Sequence, residues 1–413
     1  MNSMHQMHRR CVVVGGGPAG MMLGLLLARS GVSVTVLEKH ADFLRDFRGD
    51  TVHPSTLMIL EQIGLLPAFE ALPQRRVDHL GGLIGGHMQP LIDLRGLTPF
   101  PYIALVPQWD FFDLLAREAR KYPQFRLHMR HEAIGLIERE GRIEGVKVRS
   151  PGGEVAIGAD LVVACDGRRS TIRTAARLNA TDFGAPMDVL WFRLPREPTD
   201  SDDSFGAIGS GHMMALINRT TCWQIAYLVP KGGIDALRAQ PFQALRDSVG
   251  KLMPFLAGRV DRIASWDDVK SLEVKVDCLD TWHRPGLLLI GDAAHAMSPI
   301  GGVGINLAIQ DAVATANALA QAQLGDGPIE EDLLRGIQKR RMPPTRLIQH
   351  VQLRIQNHVV SRALDRSGES LRVPGWLRWL LRFRMIRHLP AWLFGYGWRR
   401  ESVRTPGLPA GKE

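Results

Sequence analysis

The sequence has little of what marks a secreted, membrane-spanning or metal-binding chain. Only four cysteines, Cys11, Cys165, Cys222 and Cys278, occur in 413 residues, far apart and with no CxxC pair. That argues against a disulfide framework and against a zinc site, so no metal is expected and a reducing cytoplasm suits the chain best. No apolar run approaches the roughly 20 residues needed to cross a bilayer, and the opening MNSMHQMHRR lacks the apolar stretch of a signal peptide. The net charge of +9 comes with no recognition-helix, zinc-finger or RNP pattern, and the arginines are spread along the chain. The basic balance is therefore read as attraction for anionic cofactors or surfaces, not for nucleic acid. No Ser-His-Asp arrangement, internal repeat or low-complexity tract stands out. What remains is a globular chain, 45% hydrophobic, with material for two or three domains around a large core.

Against these absences stand two glycine-rich loops at opposite ends of the chain. The stretch CVVVGGGPAGMMLGLLLARSGVSVTVLEK, from Cys11, reads as strand, tight turn, helix and strand. Gly15, Gly17 and Gly20 form GxGxxG, whose glycines permit the turn, close approach to a pyrophosphate, and close packing of helix on strand. Ala19 lies in the same loop. Glu38, followed by Lys39, ends the second strand, where a carboxylate accepts hydrogen bonds from ribose hydroxyls and repels a 2′-phosphate. This end is expected to take FAD or NAD, not NADP.

Two further strand-turn-helix units follow. ADLVVACDGRRSTIR runs into Asp166-Gly167, and RPGLLLIGDAAHAMSPIGGVGIN runs into Gly291-Asp292 and then a second set of glycines ahead of an apolar helix. GxGxxG, the DG motif and the GD motif, in that order and spacing, resemble the FAD-dependent monooxygenases of the aromatic hydroxylase class, the group of p-hydroxybenzoate hydroxylase and the ubiquinone-biosynthesis hydroxylases. The resemblance covers roughly residues 10 to 320. It implies noncovalent FAD with its adenine end on the first unit, Asp292 on the ribityl chain, and the loop carrying Pro299, Gly302, Gly304, Ile305 and Asn306 at the flavin edge. There a helix N-terminus favours the negative charge of reduced flavin. It also implies contacts from Asp166, from Arg48 (Arg45 as the fallback) and from Gln108. Two features depart from the wider pattern: Val303 stands where many relatives carry glutamine in the glycine stretch, and the Trp-x-Trp-x-Ile-Pro signature of flavin halogenases is absent.

The expected fold is α/β: a discontinuous Rossmann-like FAD-binding domain (10–72, 106–180 and 278–350), an inserted antiparallel-sheet substrate domain (73–105 and 181–277), and a helical C-terminal segment (351–413). Within the insert, PFQALRDSVGKLMPFLAGRV reads as one amphipathic helix and SLEVKVDCL as a return strand. The stretch Leu371 to Arg400 reads as an amphipathic helical pair broken at Pro390. Its tryptophans and arginines suit either peripheral contact with an anionic membrane or a cap on the protein's own surface or a dimer partner. The cap is favoured because apolar helical stripes more often face protein than lipid, and a monomer or homodimer is expected.

The resemblance implies hydroxylation of an aromatic, quinone-like or polycyclic small molecule with NADH or NADPH and dioxygen, through a flavin C4a-hydroperoxide. A reductase, a halogenase or a silent FAD-binding protein on the same scaffold are the alternatives. A phenolic substrate invites a nearby base or proton relay, for which His53, His212 and Tyr227 are the candidates. His295 is expected to hydrogen-bond its own loop.

Overall fold

The computed structural model describes residues 10–44, 51–84, 87–209, 211–322, 329–364, 375–380 and 383–407. The strand Arg10–Val14 and the strand Ser33–Glu38 pair in parallel around the helix Pro18–Arg29. The apolar run Cys11–Val14 is buried throughout, as a strand covered on both faces must be. Parallel pairing continues outward through Leu161–Ala164 and Leu287–Leu289 on one side and Phe125–Met129 on the other. The hairpin strand His283–Arg284 completes six strands. Helices Pro18–Arg29, Gln108–Ala119 and Gly304–Ala322 pack together over this sheet, and an antiparallel meander, Glu132–Arg139 to Gly153–Gly158, packs against Leu161–Ala164. Every ligand-type loop named from the sequence thus leaves the carboxyl end of a parallel strand, where open α/β sheets bind ligands.

The chain leaves this domain through Ala180–Asp182 and returns through Asp277–Leu279, and the two segments pair antiparallel with Thr181 opposite Cys278. Between them lie five strands of a seven-stranded sheet: Met187–Pro195, Phe205–Gly209, His212–Asn218, Cys222–Pro230 and Lys270–Leu272. Lys270–Leu272 forms one edge, and the hairpin His79–Ile84 with His87–Asp93 extends the other through a parallel pairing with Phe205–Gly209. Alternation puts Met214, Ile225 and Tyr227 on the outer face. There they meet Leu245, Val249, Leu256 and Val260 from the covering helical layer. The ends of the 73–105 stretch behave differently, since Arg75–Val77 and Ile103–Leu105 pair with each other, and Ile103–Leu105 also pairs with Thr51–Val52, in a small separate sheet.

Three expectations are corrected. The single helix expected after Pro241 ends at Leu252 and resumes as a 3-10 stretch, Pro254–Arg262. Met253, at φ −132° and ψ 86°, leaves the helical region, which a following proline disfavours. The return strand splits in two, Lys270–Leu272 and Asp277–Leu279 serving different sheets. Near the C-terminus the helices are Gly375–Leu380 and Arg384–Gly395, so Pro390 lies inside the second one and does not divide the pair. The helix Glu331–Ile355 also runs straight across position 350.

The turn of the first loop is closed by steric fit. Gly15 sits at φ +103°, and a Cβ on Gly20 would lie 1.9 Å from the Gly15 carbonyl oxygen. Gly20→Ala is therefore expected to lower the stability of the cofactor-free protein by roughly 2 kcal/mol or more, measured as the chemical denaturation midpoint. Gly17→Ala, whose Cβ would meet nothing within 4 Å, should change that midpoint far less.

Candidate active site

A cavity of about 700 Å³ begins at Glu38, passes the DG and GD loops, and ends under the inner face of the seven-stranded sheet. At its first end the Glu38 carboxylate accepts hydrogen bonds from the Gly16 and His40 backbone N–H groups, each at 2.9 Å. It therefore fixes the loop as well as bordering the cavity, beside Lys39. Helix Pro18–Arg29 opens at Gly17 with no side-chain cap and no acidic residue in its first turn. Its leading N–H groups are thus suited to an anion. The open space where a Gly17 side chain would stand belongs to the same cavity. An uncapped helix start, a glycine cradle and a carboxylate at the end of the next strand fit the pyrophosphate and ribose of FAD.

In the middle, Asp166 accepts from the Ser170 hydroxyl (2.6 Å) and the Ile172 N–H (3.1 Å). Burial pushes this carboxyl above its usual range, and those bonds oppose the shift. One oxygen holds Ser170, the N-cap of the short helix Thr171–Ala175, and the other takes the helix's Ile172 N–H. Arg168, unremarked in the sequence, reaches from the DG loop to Asp292 of the GD loop at 3.2 Å, so one ion pair joins the two motifs at the cavity wall. Gln108 begins the helix Gln108–Ala119, behind Pro107, and also lines the cavity. Arg48 and Arg45 lie outside the described residues.

At the far end Pro299, Gly302, Gly304 and Ile305 line the cavity. Gly302 has φ +62°, and a Cβ there would stand 2.4 Å from Thr51 Oγ1, whose hydroxyl instead donates to the Gly302 carbonyl at 2.8 Å. Asn306 serves this junction and not the cavity. Its Oδ1 accepts from the His53 N–H and the Thr56 hydroxyl, and its Nδ2 donates to the Thr51 and Gly302 carbonyls.

The GD loop rests on a network that sequence reasoning missed. The buried Asp311 carboxylate contacts His295 Nε2 (2.6 Å) and accepts from Arg341 Nε (2.8 Å) and the Gly291 N–H (3.1 Å). Arg341 reaches in turn toward Glu401, which Arg340 also pairs. Burial alone would raise the Asp311 carboxyl, but His295 and Arg341 outweigh it and hold it below the ordinary range. The His295 ring therefore bonds the following helix, while its backbone N–H donates to the Gly291 carbonyl of its own loop at 2.9 Å. One signal was available: Asp311 is the only charged residue in GINLAIQDAVATANALAQA, and a lone charge in an apolar helix needs a buried partner.

The three candidate proton acceptors separate by face. His212 and Tyr227 bond each other at 2.6 Å, but Tyr227 belongs to the outer-face cluster, across the sheet from the cavity. His53 borders the cavity and is fully buried. Its Nδ1 lies 2.8 Å from the Phe394 carbonyl, which fixes the tautomer with the proton on Nδ1 and leaves Nε2 an acceptor with no partner among the described residues. The sheet face that closes the cavity is apolar: Met187, Val189, Trp191, Met213, Ala215 and Leu228 point into it. No group of three potential metal ligands occurs among the described residues.

A parallel sheet with a dinucleotide-type loop, a second glycine loop after Asp292 and an apolar sheet over the space between them define an FAD-dependent oxidoreductase. The chain belongs to the FAD binding domain family, which matches residues 9–349. It is 35% identical over 357 residues to the 6-methylpretetramide 4-monooxygenase of Streptomyces rimosus, covering 84% of this chain and 83% of the relative. It is 27% identical over 367 residues to the ubiquinone hydroxylase UbiL of Rhodospirillum rubrum, covering 82% and 78%. The OxyS anhydrotetracycline hydroxylase structure from Streptomyces rimosus superposes with a TM-score of 0.72 at 24% identity, over 94% of this chain and 76% of that one. The protein is an FAD-dependent monooxygenase of the aromatic hydroxylase class, with NADH or NADPH as electron source.

Two outcomes follow from these contacts. Asp311→Ala leaves Arg341 and His295 buried without their acid and should cost about 3 to 5 kcal/mol, read by denaturant titration; the paired change Asp311→Leu with Arg341→Met should recover part of that loss. Burial also pushes the His53 imidazole down to about 4, only partly opposed by the Phe394 carbonyl. The unfolded chain takes up this proton near 6.5, so the folded state keeps its full advantage above that pH and loses it as pH falls toward 4. Between those limits wild type should lose up to about 1.4 kcal/mol per pH unit from this group, a slope that His53→Gln should lack in denaturation midpoints measured across the window.

Proposed function

We propose that this enzyme hydroxylates a polycyclic or quinone-like aromatic molecule held between the apolar face of the seven-stranded sheet and the glycine loop that follows Asp292. The observation that carries this reading is that face itself. Its strands present Met187, Val189, Trp191, Met213, Ala215 and Leu228 to the cavity without a charged side chain among them, a surface suited to a large flat apolar ligand. The relatives that act on 6-methylpretetramide and ubiquinone point to the same class of substrate.

In this reading the N–H groups after Gly17 hold the pyrophosphate, and Glu38, with Lys39 beside it, holds the adenosine ribose. Asp292, positioned by Arg168, holds the ribityl chain, and Gln108 and Asp166 flank the middle. Pro299, Gly302, Gly304 and Ile305 bring backbone to the flavin edge. FAD supplies electron transfer from NAD(P)H and the activation of dioxygen; the protein positions the reactants and excludes water. His53 borders the cavity, but its Nε2 is buried and does not reach a molecule there.

The test is a screen of polycyclic and quinone-like phenols for stimulated NADH or NADPH oxidation, with labelled dioxygen and mass analysis of the product. Oxygen incorporated into the ring is expected. Stimulated oxidation giving a reduced or halogenated product instead would overturn the reading. Asp292→Ala and Glu38→Ala should each weaken FAD by roughly 1.5 to 3 kcal/mol. Reconstituted with excess FAD, Asp292→Ala should still be reduced slowly while Glu38→Ala turns over nearly normally, because a misplaced reacting ring costs rate and a loosened remote half costs binding. Equal reduction rates in the two saturated variants would place Asp292 away from the reacting end.

A further inference from the structure

The helix Arg384–Gly395 has two apolar faces, and the protein covers only one. Its inner face buries Ala391 and Phe394 at the cavity wall. Its outer face exposes Met385 (84%), Ile386, Leu389 (66%) and Trp392. Positions 385, 389 and 392 fall on one stripe at helical spacing. Phe383, Trp379 (58%) and Trp398 extend the exposed patch at either end. Single exposed apolar residues need no explanation, but a contiguous group of this size marks an interaction surface.

Its charge selects the occupant. From Gly375 to Arg400 the sequence carries six arginines and no aspartate or glutamate. The inner side of the patch is pinned by Arg384, which donates to the Arg95 carbonyl, and by Arg387 facing the buried Asp93. A second copy docking through this face about a two-fold axis would bring together two surfaces whose exposed charges from this segment, Arg384, Arg399 and Arg400, are all positive. A bilayer with anionic headgroups matches both features: the apolar and tryptophan side chains reach the acyl boundary while the exposed Arg384, Arg399 and Arg400 stay at headgroup level. No helix among the described residues is long and apolar enough to cross a membrane, so the match is to a helix lying in the interface plane. We infer that the outer face of Arg384–Gly395, with Trp379 and Phe383 before it and Trp398 after it, seats this enzyme on an anionic lipid surface.

The test uses the full-length FAD-loaded protein and flotation with vesicles of phosphatidylglycerol and phosphatidylcholine, against vesicles of phosphatidylcholine alone. Binding to the anionic vesicles is expected, weakened at high salt. The double variant Met385→Glu and Leu389→Glu should bind at least about tenfold more weakly with unchanged FAD content and melting temperature, while Met385→Leu should bind like wild type. Failure of the wild type to float with anionic vesicles would overturn the inference, and so would undiminished binding by the folded double variant. A dimer in sedimentation velocity that the same double change abolishes, without any vesicle binding, would assign the face to a second copy instead. Loss of fold in the double variant would move the comparison to Trp392→Ser, judged by the same criteria.

Discussion

The carboxylate of Asp311 is the interaction on which the cofactor site depends. It lies inside the helix Gly304–Ala322, beneath the second glycine loop, and it is completely buried. Through Gly291 and His295 it sets where the GD loop turns, and through Arg341 it ties that loop to the long helix Glu331–Ile355. Arg341 and Arg340 then reach Glu401 near the end of the described chain. A buried charge without partners is prohibitively unfavourable, so these elements must assemble in one arrangement for any of them to be buried. The position of Asp292 at the cavity wall is a consequence of that requirement.

A second buried acid acts in the same way on the insert. Asp277 takes the Arg173 guanidinium at 3.2 Å and accepts the Ala296 N–H at 3.1 Å. Arg173 belongs to the helix after the DG motif and Ala296 to the loop after the GD motif, while Asp277 lies where the insert returns. The apolar sheet is thus registered to the cofactor loops by polar contacts at its base. Its cavity face can then remain free of charge.

The parts of this architecture that were legible in the sequence are those governed by local rules. Strand periods gave Met187–Pro195 and Cys222–Pro230 their place, and the glycines, Glu38 and Asp292 announced both ends of the cavity. Proline chemistry was misjudged in both directions. Pro254 ended a helix that hydrophobic spacing had carried through it, whereas Pro390 sits inside one whose tertiary contacts hold it. What stayed hidden was partnership across the chain. Alternation alone could not say which face of the sheet Tyr227 would occupy, because both faces are buried, one by helices and one by the cavity. Nor could position 295 reveal that its partner stands at 311, or that a carbonyl at 394 would fix the tautomer of His53.

The order of strands has a consequence for how the molecule can be divided. Leu161–Ala164 lies between Arg10–Val14 and Leu287–Leu289 in the central sheet, so that sheet needs residues from both sides of the insert. The insert's own sheet needs His79–Ile84, which pairs in parallel with Phe205–Gly209 across more than a hundred residues of chain. Neither unit is a contiguous stretch that could be cut out and made alone. Each pairing this distant must overcome the entropy of closing a long loop. Each half of the catalytic cavity thus draws on chain from both sides of the other, and no contiguous stretch completes either one.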